Sequence, residues 1–306
     1  MTDAAARPPA QARRVPVLIG AAEMADIDAA AQLMGLSQDA LMESAGGAVV
    51  EVALAELARI AEPVVGPGGA LAGEPLVAVL CGPGNNGGDG MVVARRLAAV
   101  GRRVMCILVA DASRNASPAV AHNWMVLQAM AAARSLELFV APTPDLLLHL
   151  RDRLSGATLL VDALLGTGAS GPLREPIATA VDLVNAVRTH ARAESRPCSV
   201  LAIDAPTRID VTAGTHSEPV VAADVTVTFH RAKAGFAVNG ASRRLAGRYL
   251  VAPIGIPLEA EQDVVPPDGE WPPARITQVS WQEPAPPDEL GNARPGEGIG
   301  AGPGIE

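Results

Sequence analysis

The chain has 306 residues, 49% of them apolar, enough for a sizeable core in one large α/β domain or two small ones, and this excludes an intrinsically disordered protein. A formal net charge of −9 with 2% aromatic residues offers neither the basic footprint nor the stacking platforms that nucleic acid requires, so no nucleic-acid partner is expected. Apolar runs are strand-sized, far short of the ~20 residues that span a bilayer, so no membrane association is expected and the location is expected to be cytoplasmic.

Residues 1–14, with Arg7, Arg13 and Arg14 among Ala, Pro and Gln, contain no apolar core of a signal peptide and are expected to form a disordered leader. Apolar residues at helical spacing then predict helices over Ala21–Met34 and, after Ser37 as N-cap, over Gln38 to about Ile60. Several Gly and Pro between Ala61 and Pro75 predict a loop or insertion. The run Leu76–Cys81 reads as a strand buried on both faces.

A Gly-rich turn follows, then a helix from about Gly88 to Val100, a strand over Val104–Val109 and a helix over Pro118–Arg134. Further strands are predicted at Leu136–Val140, Thr158–Leu164, Val200–Asp204 and Asp224–Phe229, with helical stretches at Asp145–Leu154 and Glu175–His190. A short last strand, Tyr249–Ala252, is expected at the sheet edge. This alternation indicates an α/β fold whose mainly parallel sheet carries helices on both faces. Beyond Pro257 the periodicity stops and Pro, Gly, Glu and Asp dominate, so 258–306 is expected to be an unstructured tail after a domain over 15–257.

Ligands of parallel sheets collect at the carboxyl ends of the strands, and three unusual segments fall at such ends. The first, Gly82 to Gly90, reads GPGNNGGDG. Its glycines permit positive φ and close backbone approach, and the next helix offers free N–H groups to an anion. A tight turn of any α/β protein would also be Gly-rich, and neither GxGxxG nor the Walker lysine is present. The cluster Asn85, Asn86 and Asp89 favours a functional reading, because amides and a carboxylate in such a bend suit a ligand or cation.

The second segment runs from Val161 to Pro172 and carries Asp162 inside an apolar strand, where a carboxylate needs either a backbone donor cluster or a cation. The third, Ile203-Asp204-Ala205-Pro206-Thr207-Arg208-Ile209-Asp210, again ends an apolar strand on an acid. Asp204 is a candidate for chemistry there. Asp210 reads as a turn residue.

Other reactive residues carry less. The five histidines lack metal-ligand spacing, so zinc is not expected and surface or capping roles account for them. Cys81, Cys106 and Cys198 form no CxxC pair, which fits a reducing compartment, and Cys81 reads as a small buried residue.

In this order the three loops resemble the NAD(P)H-hydrate epimerase family, the YjeF N-terminal domain. The resemblance begins near Val17, takes in the stretch around Asp28 and Leu41-Met42-Glu43-Ser44-Ala45-Gly46, and passes through GPGNNGGDG and VDALLGTG. It closes with Ala223–Phe229, Lys233-Ala234-Gly235 and Ile254-Gly255-Ile256-Pro257. It implies a Rossmann-like three-layer αβα sandwich, usually a homodimer, that interconverts the R and S forms of hydrated NADH and NADPH (NADHX and NADPHX). It also implies one K+ (potassium) per subunit, held by Asn86, Asp162 and Thr207. Asn85, Asn86, Gly87, Gly88 and Asp89, then Gly166, Thr167, Gly168, Ala169, Ser170, Gly171 and Pro172, together with Asp204, would line the substrate. Inversion at the hydroxylated ring carbon needs only proton transfer and charge stabilisation, and the acid–base role is assigned to Asp204, because the ring rather than the cation should lie against it, with Asp162 mostly a cation ligand.

One step departs from the family pattern. Where DxPSGxD is usual, this chain has Thr207-Arg208. Threonine keeps the hydroxyl and carbonyl, but if the next position requires φ > 0, Arg208 is strained by roughly 1–3 kcal/mol. The arginine then either obstructs the pocket or contacts a substrate phosphate. The alternative function is therefore a catalytically impaired dinucleotide-binding or scaffolding protein of the same fold. An ordinary NAD-dependent dehydrogenase is disfavoured by the missing GxGxxG. Relatives are often fused to a hydrate dehydratase; the polar residues after Pro257 do not supply one, so that enzyme is expected as a separate polypeptide.

Overall fold

Strands β1 (Leu76–Cys81), β2 (Arg103–Leu108), β3 (Glu137–Val140), β4 (Ala157–Ala163), β5 (Ser199–Ile203), β6 (Val225–Phe229), β7 (Arg248–Ala252) and β8 (Thr277–Gln278) form one sheet in the order β3-β2-β1-β4-β5-β6-β7-β8. This is seen in a computed structural model that describes residues 15–60, 74–112, 117–168 and 171–281. All pairings are parallel except β7 with β8. Every residue of β1, β5 and β6 is buried, which is why these strands, Ser199 apart, are continuous apolar or β-branched runs rather than alternating ones.

Successive side chains serve opposite faces. Val77, Val79 and Cys81 pack with Ile27 of α1 (Ala21–Leu33), Val49 of α2 (Gln38–Ile60), Val93 of α3 (Asn85–Ala99) and Leu127 of α4 (Pro118–Ala132). Leu76, Ala78 and Leu80 pack with Leu147 of α5 (Pro144–His149), Leu154 of α6 (Arg151–Ser155) and Val184 of α7 (Ile177–Ala193). The result is a three-layer αβα sandwich. Each fully buried Val or Leu contributes about 1.5–3 kcal/mol, so these two clusters, not helix propensity, hold the layers together. Ser37 caps α2 as expected, its Oγ accepting from Ala40 N at 3.2 Å. Among the described residues no helix is long and apolar enough to cross a membrane.

Several expectations are corrected. The helix after β1 begins at Asn85 rather than near Gly88, because Gly84 in extended conformation is its N-cap. The stretch Asp145–Leu154 is two short helices, α5 and α6, joined at Leu150. Tyr249–Ala252 is not the edge, since β8 lies outside it. Two helices not anticipated, α8 (Ala234–Val238) and α9 (Gly240–Ala246), connect β6 to β7.

The segment 258–281, expected to be unstructured, lies on the domain. Glu261 is buried and accepts from Arg231 Nη2 at 2.6 Å, Arg231 Nη1 donates to Glu270 O at 2.9 Å, and Glu270 N donates to Val15 O at 2.8 Å. These are pairings with remote parts of the chain, so local apolar periodicity carries no trace of them. The predicted leader 1–14 and residues 282–306 lie outside the described residues, as do 61–73 of the predicted insertion.

Candidate active site

Strand order reverses between β1 and β4: the chain moves from β1 out to β3, then returns to β4 on the other side of β1. The loops after these two strands therefore diverge and leave a crevice, the usual ligand position in open α/β sheets. The backbones meet at its base, where Gly82 N donates to Ala163 O at 2.9 Å. A Cβ on Gly82 would stand 1.8 Å from Leu164 O, and one on Gly87 would stand 1.9 Å from Gly82 O. Close approach, not positive φ, thus explains the glycines of GPGNNGGDG: none of those between Gly82 and Gly90 has a left-handed φ. Gly87 and Gly88 pack beneath the crevice and do not line it, contrary to expectation. Asn85 Oδ1 accepts from Ser117 Oγ at 3.2 Å, tying the start of α3 to the cap of α4.

Asp162 is fully buried at the end of β4 and is met by backbone and hydroxyl donors. Its oxygens accept from Thr207 N at 2.8 Å, Thr207 Oγ1 at 2.7 Å and Leu164 N at 3.2 Å. Burial raises its carboxyl to about 6 in spite of these bonds. Thr207 Oγ1 also accepts from Leu165 N at 3.1 Å, and the next residue, Gly166, abuts the Asn86 side chain. Asn86 is buried, and neither its Oδ1 nor its Nδ2 has a partner among the described residues. A carboxylate has about four acceptor sites and a hydroxyl two, so Asp162, Thr207 and Asn86 all keep oxygen lone pairs to offer. An all-oxygen donor set with a single carboxylate fits a hard, weakly charged cation.

Above this node lies a cavity of about 610 Å³ lined by Asp28, Asn85, Asn86, Asp89, Asp204 and Lys233, among others. Asp204 adopts φ +65°, which an aspartate tolerates better than most residues. Its carboxylate accepts from Thr167 N at 3.1 Å and from Thr228 Oγ1 at 3.1 Å. Lys233 Nζ, wholly buried, stands 3.9 Å from Asp204 Oδ1 and donates to Phe229 O at 2.9 Å and Arg231 O at 3.0 Å. Burial pushes the Lys233 ammonium down, opposed by Asp204 and Asp28. The Tyr249 hydroxyl, accepting from Lys233 N at 3.1 Å, fixes the lysine backbone.

Three carboxyls face one ammonium here, and the surplus negative charge is met by retained protons. Burial, then Asp204, raise Asp28 to about 6; burial, then Asp204 and Asp28, push Asp89 well above the usual carboxylate range. For Asp28 the consequence for stability has a definite sign. Its folded value lies above the ordinary 3.8, so as pH rises from there to about 6 the unfolded chain loses the proton first and stability falls. Asp28→Asn is therefore expected to raise the urea midpoint, and more at pH 7.5 than at pH 4.5. Equal midpoints for both proteins at pH 7.5 would contradict the burial of that charge.

The roles of Asp28 and Lys233 were not anticipated. Asp28 is one of several acids on α1, and Lys233 precedes a short unpredicted helix. The signals available were the family resemblance, which takes in the stretch around Asp28 and Lys233-Ala234-Gly235, and an acid at a helix position beside the buried Ile27 and near Ala31. His230 also departs from the expected surface role: it is buried, with Nε2 2.5 Å from Glu261 Oε1, and burial pushes it down to about 4. Asp210 is the turn residue expected, its Oδ1 accepting from Thr212 N at 2.8 Å and Ala213 N at 2.9 Å. Cys81 is fully buried, as its reading required.

The predicted lining from Gly166 to Pro172 is divided between two places. Gly166, Thr167 and Gly168 border the first cavity and also a second, of about 930 Å³. Gly171 and Pro172 border only the second, and Ala169 and Ser170 lie outside the described residues. Arg208 has φ +89°, so the usual glycine position does require the left-handed region, and its Nη1 donates to Gly171 O.

Residues 38–235 match the family described as YjeF-related protein N-terminus. The chain is 31% identical over 252 residues to an NAD(P)H-hydrate epimerase of Cenarchaeum symbiosum, an alignment that covers 81% of this chain and 99% of that protein. It is 37% identical over 246 residues to a bifunctional NAD(P)H-hydrate repair enzyme of Pyrobaculum aerophilum, covering 80% of this chain and 43% of the relative, so it spans less than half the length of that bifunctional protein. The crystal structure of yeast ynu0 shares the fold, with a TM-score of 0.64 at 23% identity over 86% of this chain and all of the other.

Proposed function

The chain belongs to the family of YjeF-related protein N-termini, and on that premise we propose that it is an isomerase that interconverts the R and S forms of NADHX and NADPHX in repair of nicotinamide cofactors. The observation that carries this reading is the carboxylate of Asp204, oriented by Thr167 N and Thr228 Oγ1 and faced by Lys233 at the wall of the crevice.

The hydroxyl of the hydrate sits on the ring carbon next to nitrogen. As the C–O bond breaks, its electron pair leaves with the hydroxyl, Asp204 in its protonated form donates a proton and becomes the carboxylate, and water departs. The nitrogen lone pair forms the C=N bond of a planar iminium. Water then adds to the opposite face, the C=N pair returns to nitrogen, and Asp204 takes the proton back. The carboxylate that Asp204 becomes on giving up its proton stands at the wall of the crevice and favours the cationic iminium over either neutral hydrate. Lys233 keeps Asp204 oriented between the two proton transfers.

We assign Asn86, Asp162 and Thr207 to a potassium ion, one per subunit; the unpartnered oxygen of buried Asn86 supports the assignment. When bound, the ion supplies a fixed positive charge beside the substrate that attracts its oxygens. Asn85, Asp89 and Gly166 to Gly168 are assigned to the substrate. The reading carries with it a cytoplasmic homodimer and a hydrate dehydratase that consumes the S form.

The test is a mixture of hydrate epimers supplied with an S-specific dehydratase. With the protein present, the R form is expected to be consumed at a protein-dependent rate; persistence at the spontaneous rate rejects the isomerase and leaves the dinucleotide-binding alternative. Exchanging potassium for choline is expected to raise KM roughly tenfold, equivalent to about 1.4 kcal/mol of lost attraction, with a smaller change in kcat.

A further inference from the structure

We propose that the second cavity is a phosphate subsite for the dinucleotide and that Arg208 is its specificity-determining residue, a proposal that rests on the function given above. The two cavities share Leu165, Gly166, Thr167 and Gly168, so a ligand whose ring lies against Asp204 can cross this bend into the larger space. A dinucleotide needs two such compartments, one for the nicotinamide ring and one for the phosphates and second nucleoside.

Arg208 is held at a cost. A bulky side chain at φ +89° is strained where a glycine would be relaxed. Its Nη1 reaches across the cavity to Gly171 O, which fixes the guanidinium plane. Nε is buried and has no partner among the described residues. Buried Nε is closed to a ligand in the cavity, so Nη2, for which no bond is seen among the described residues, is the donor left to offer. A guanidinium N–H gives a phosphate oxygen a charge-assisted hydrogen bond.

The surrounding charges favour an anion. Arg174, exposed, borders the same cavity. The two acids bordering it already serve local donors. Asp210 Oδ1 accepts from Thr212 N and Ala213 N, and Glu175 Oε2 accepts from Thr179 N at 3.2 Å and Thr179 Oγ1 at 2.8 Å. No carboxylate bond to the guanidinium competes with a phosphate among the described residues.

The experiment compares the unmodified protein with Arg208→Gln and Arg208→Gly, using NAD+ and NADP+ as probes in titration calorimetry and NADHX and NADPHX as substrates. Both variants are expected to bind the probes at least roughly tenfold more weakly, with the kinetic loss in KM and kcat within about twofold. Arg208→Gly is also expected to raise the thermal midpoint, because glycine relaxes the backbone, so stability and affinity move in opposite directions. A loss confined to NADP+ and NADPHX identifies the 2′-phosphate as the bound group; an equal loss for both pairs identifies the diphosphate. Unchanged dissociation constants in both variants overturn the proposal, as does failure of the unmodified protein to bind either probe. A protein that binds both probes but turns over neither hydrate sinks the isomerase reading alone, and the calorimetric comparison still decides the role of Arg208.

Discussion

Asp204→Asn is expected to lower kcat for hydrate epimerisation by roughly 10²- to 10⁴-fold, the usual contribution of a positioned acid–base group and equivalent to about 3–5 kcal/mol of transition-state stabilisation. The substitution is chosen for what it preserves. Asparagine is one of the few residues that share aspartate's tolerance of φ near +65°, so the turn after β5 keeps its path. The amide oxygen can still accept from Thr167 N or Thr228 Oγ1, the two donors that orient the carboxylate. What it removes is the group that can give and regain a proton. The charge facing Lys233 also disappears, which weakens the field that favours the iminium. KM is expected to move by less than kcat, because the hydrate in its ground state is neutral at the reacting carbon. The measurement is the rate at which the dehydratase-coupled assay consumes the R form, alongside a thermal melt to show that the variant is folded. A folded variant with an undiminished rate would remove Asp204 from the mechanism.

Asp162→Ala is expected to destabilise the domain by about 2–5 kcal/mol and to abolish its response to potassium. Three donors, Thr207 N, Thr207 Oγ1 and Leu164 N, lose their acceptor in a region without solvent. Against this stands one compensation: the buried carboxylate, raised to about 6 by desolvation, no longer has to be accommodated. The donors outweigh it because there are three of them and because they join two loops. Thr207 belongs to the turn after β5, Leu164 and Leu165 to the turn after β4, and two residues further on Thr167 holds Asp204. Loosening this node therefore reaches the reacting group as well. Urea unfolding in potassium and in choline separates the two claims. The unmodified protein is expected to be more stable in potassium, and the variant equally unstable in both. A variant that unfolds at the unmodified midpoint would show that Asp162 does not clamp the loops; one that still gains stability from potassium would place the ion elsewhere.

Much of the fold could be read along the chain because its causes are local. A run such as Leu76–Cys81, apolar at every position and bounded by turn residues, satisfies a strand covered on both faces wherever it occurs. Placing Asp162 and Asp204 at strand ends followed from the same pattern; Asp204 lines the crevice and Asp162 is buried beneath it. The glycines of GPGNNGGDG were identified but for an incomplete reason, since the overlap a Cβ on Gly82 would make with Leu164 O depends on a neighbouring strand, not on the loop's own dihedrals. The segment after Pro257 misled for a related cause: its order comes from pairing Glu261 with Arg231 and Glu270 with Val15.

By itself, then, the sequence determined the αβα layering, the succession of parallel strands and the three loops that meet at one end of the sheet, because apolar periodicity and Gly and Asp punctuation act over a few residues. Only the tertiary structure decided which charges share the site. It brings Asp28 from α1 and Lys233 from beyond β6 to Asp204, and swings Arg208 over to Gly171 O in a left-handed conformation. Those juxtapositions depend on strand order and on how closely two backbones pass, and no local propensity encodes either.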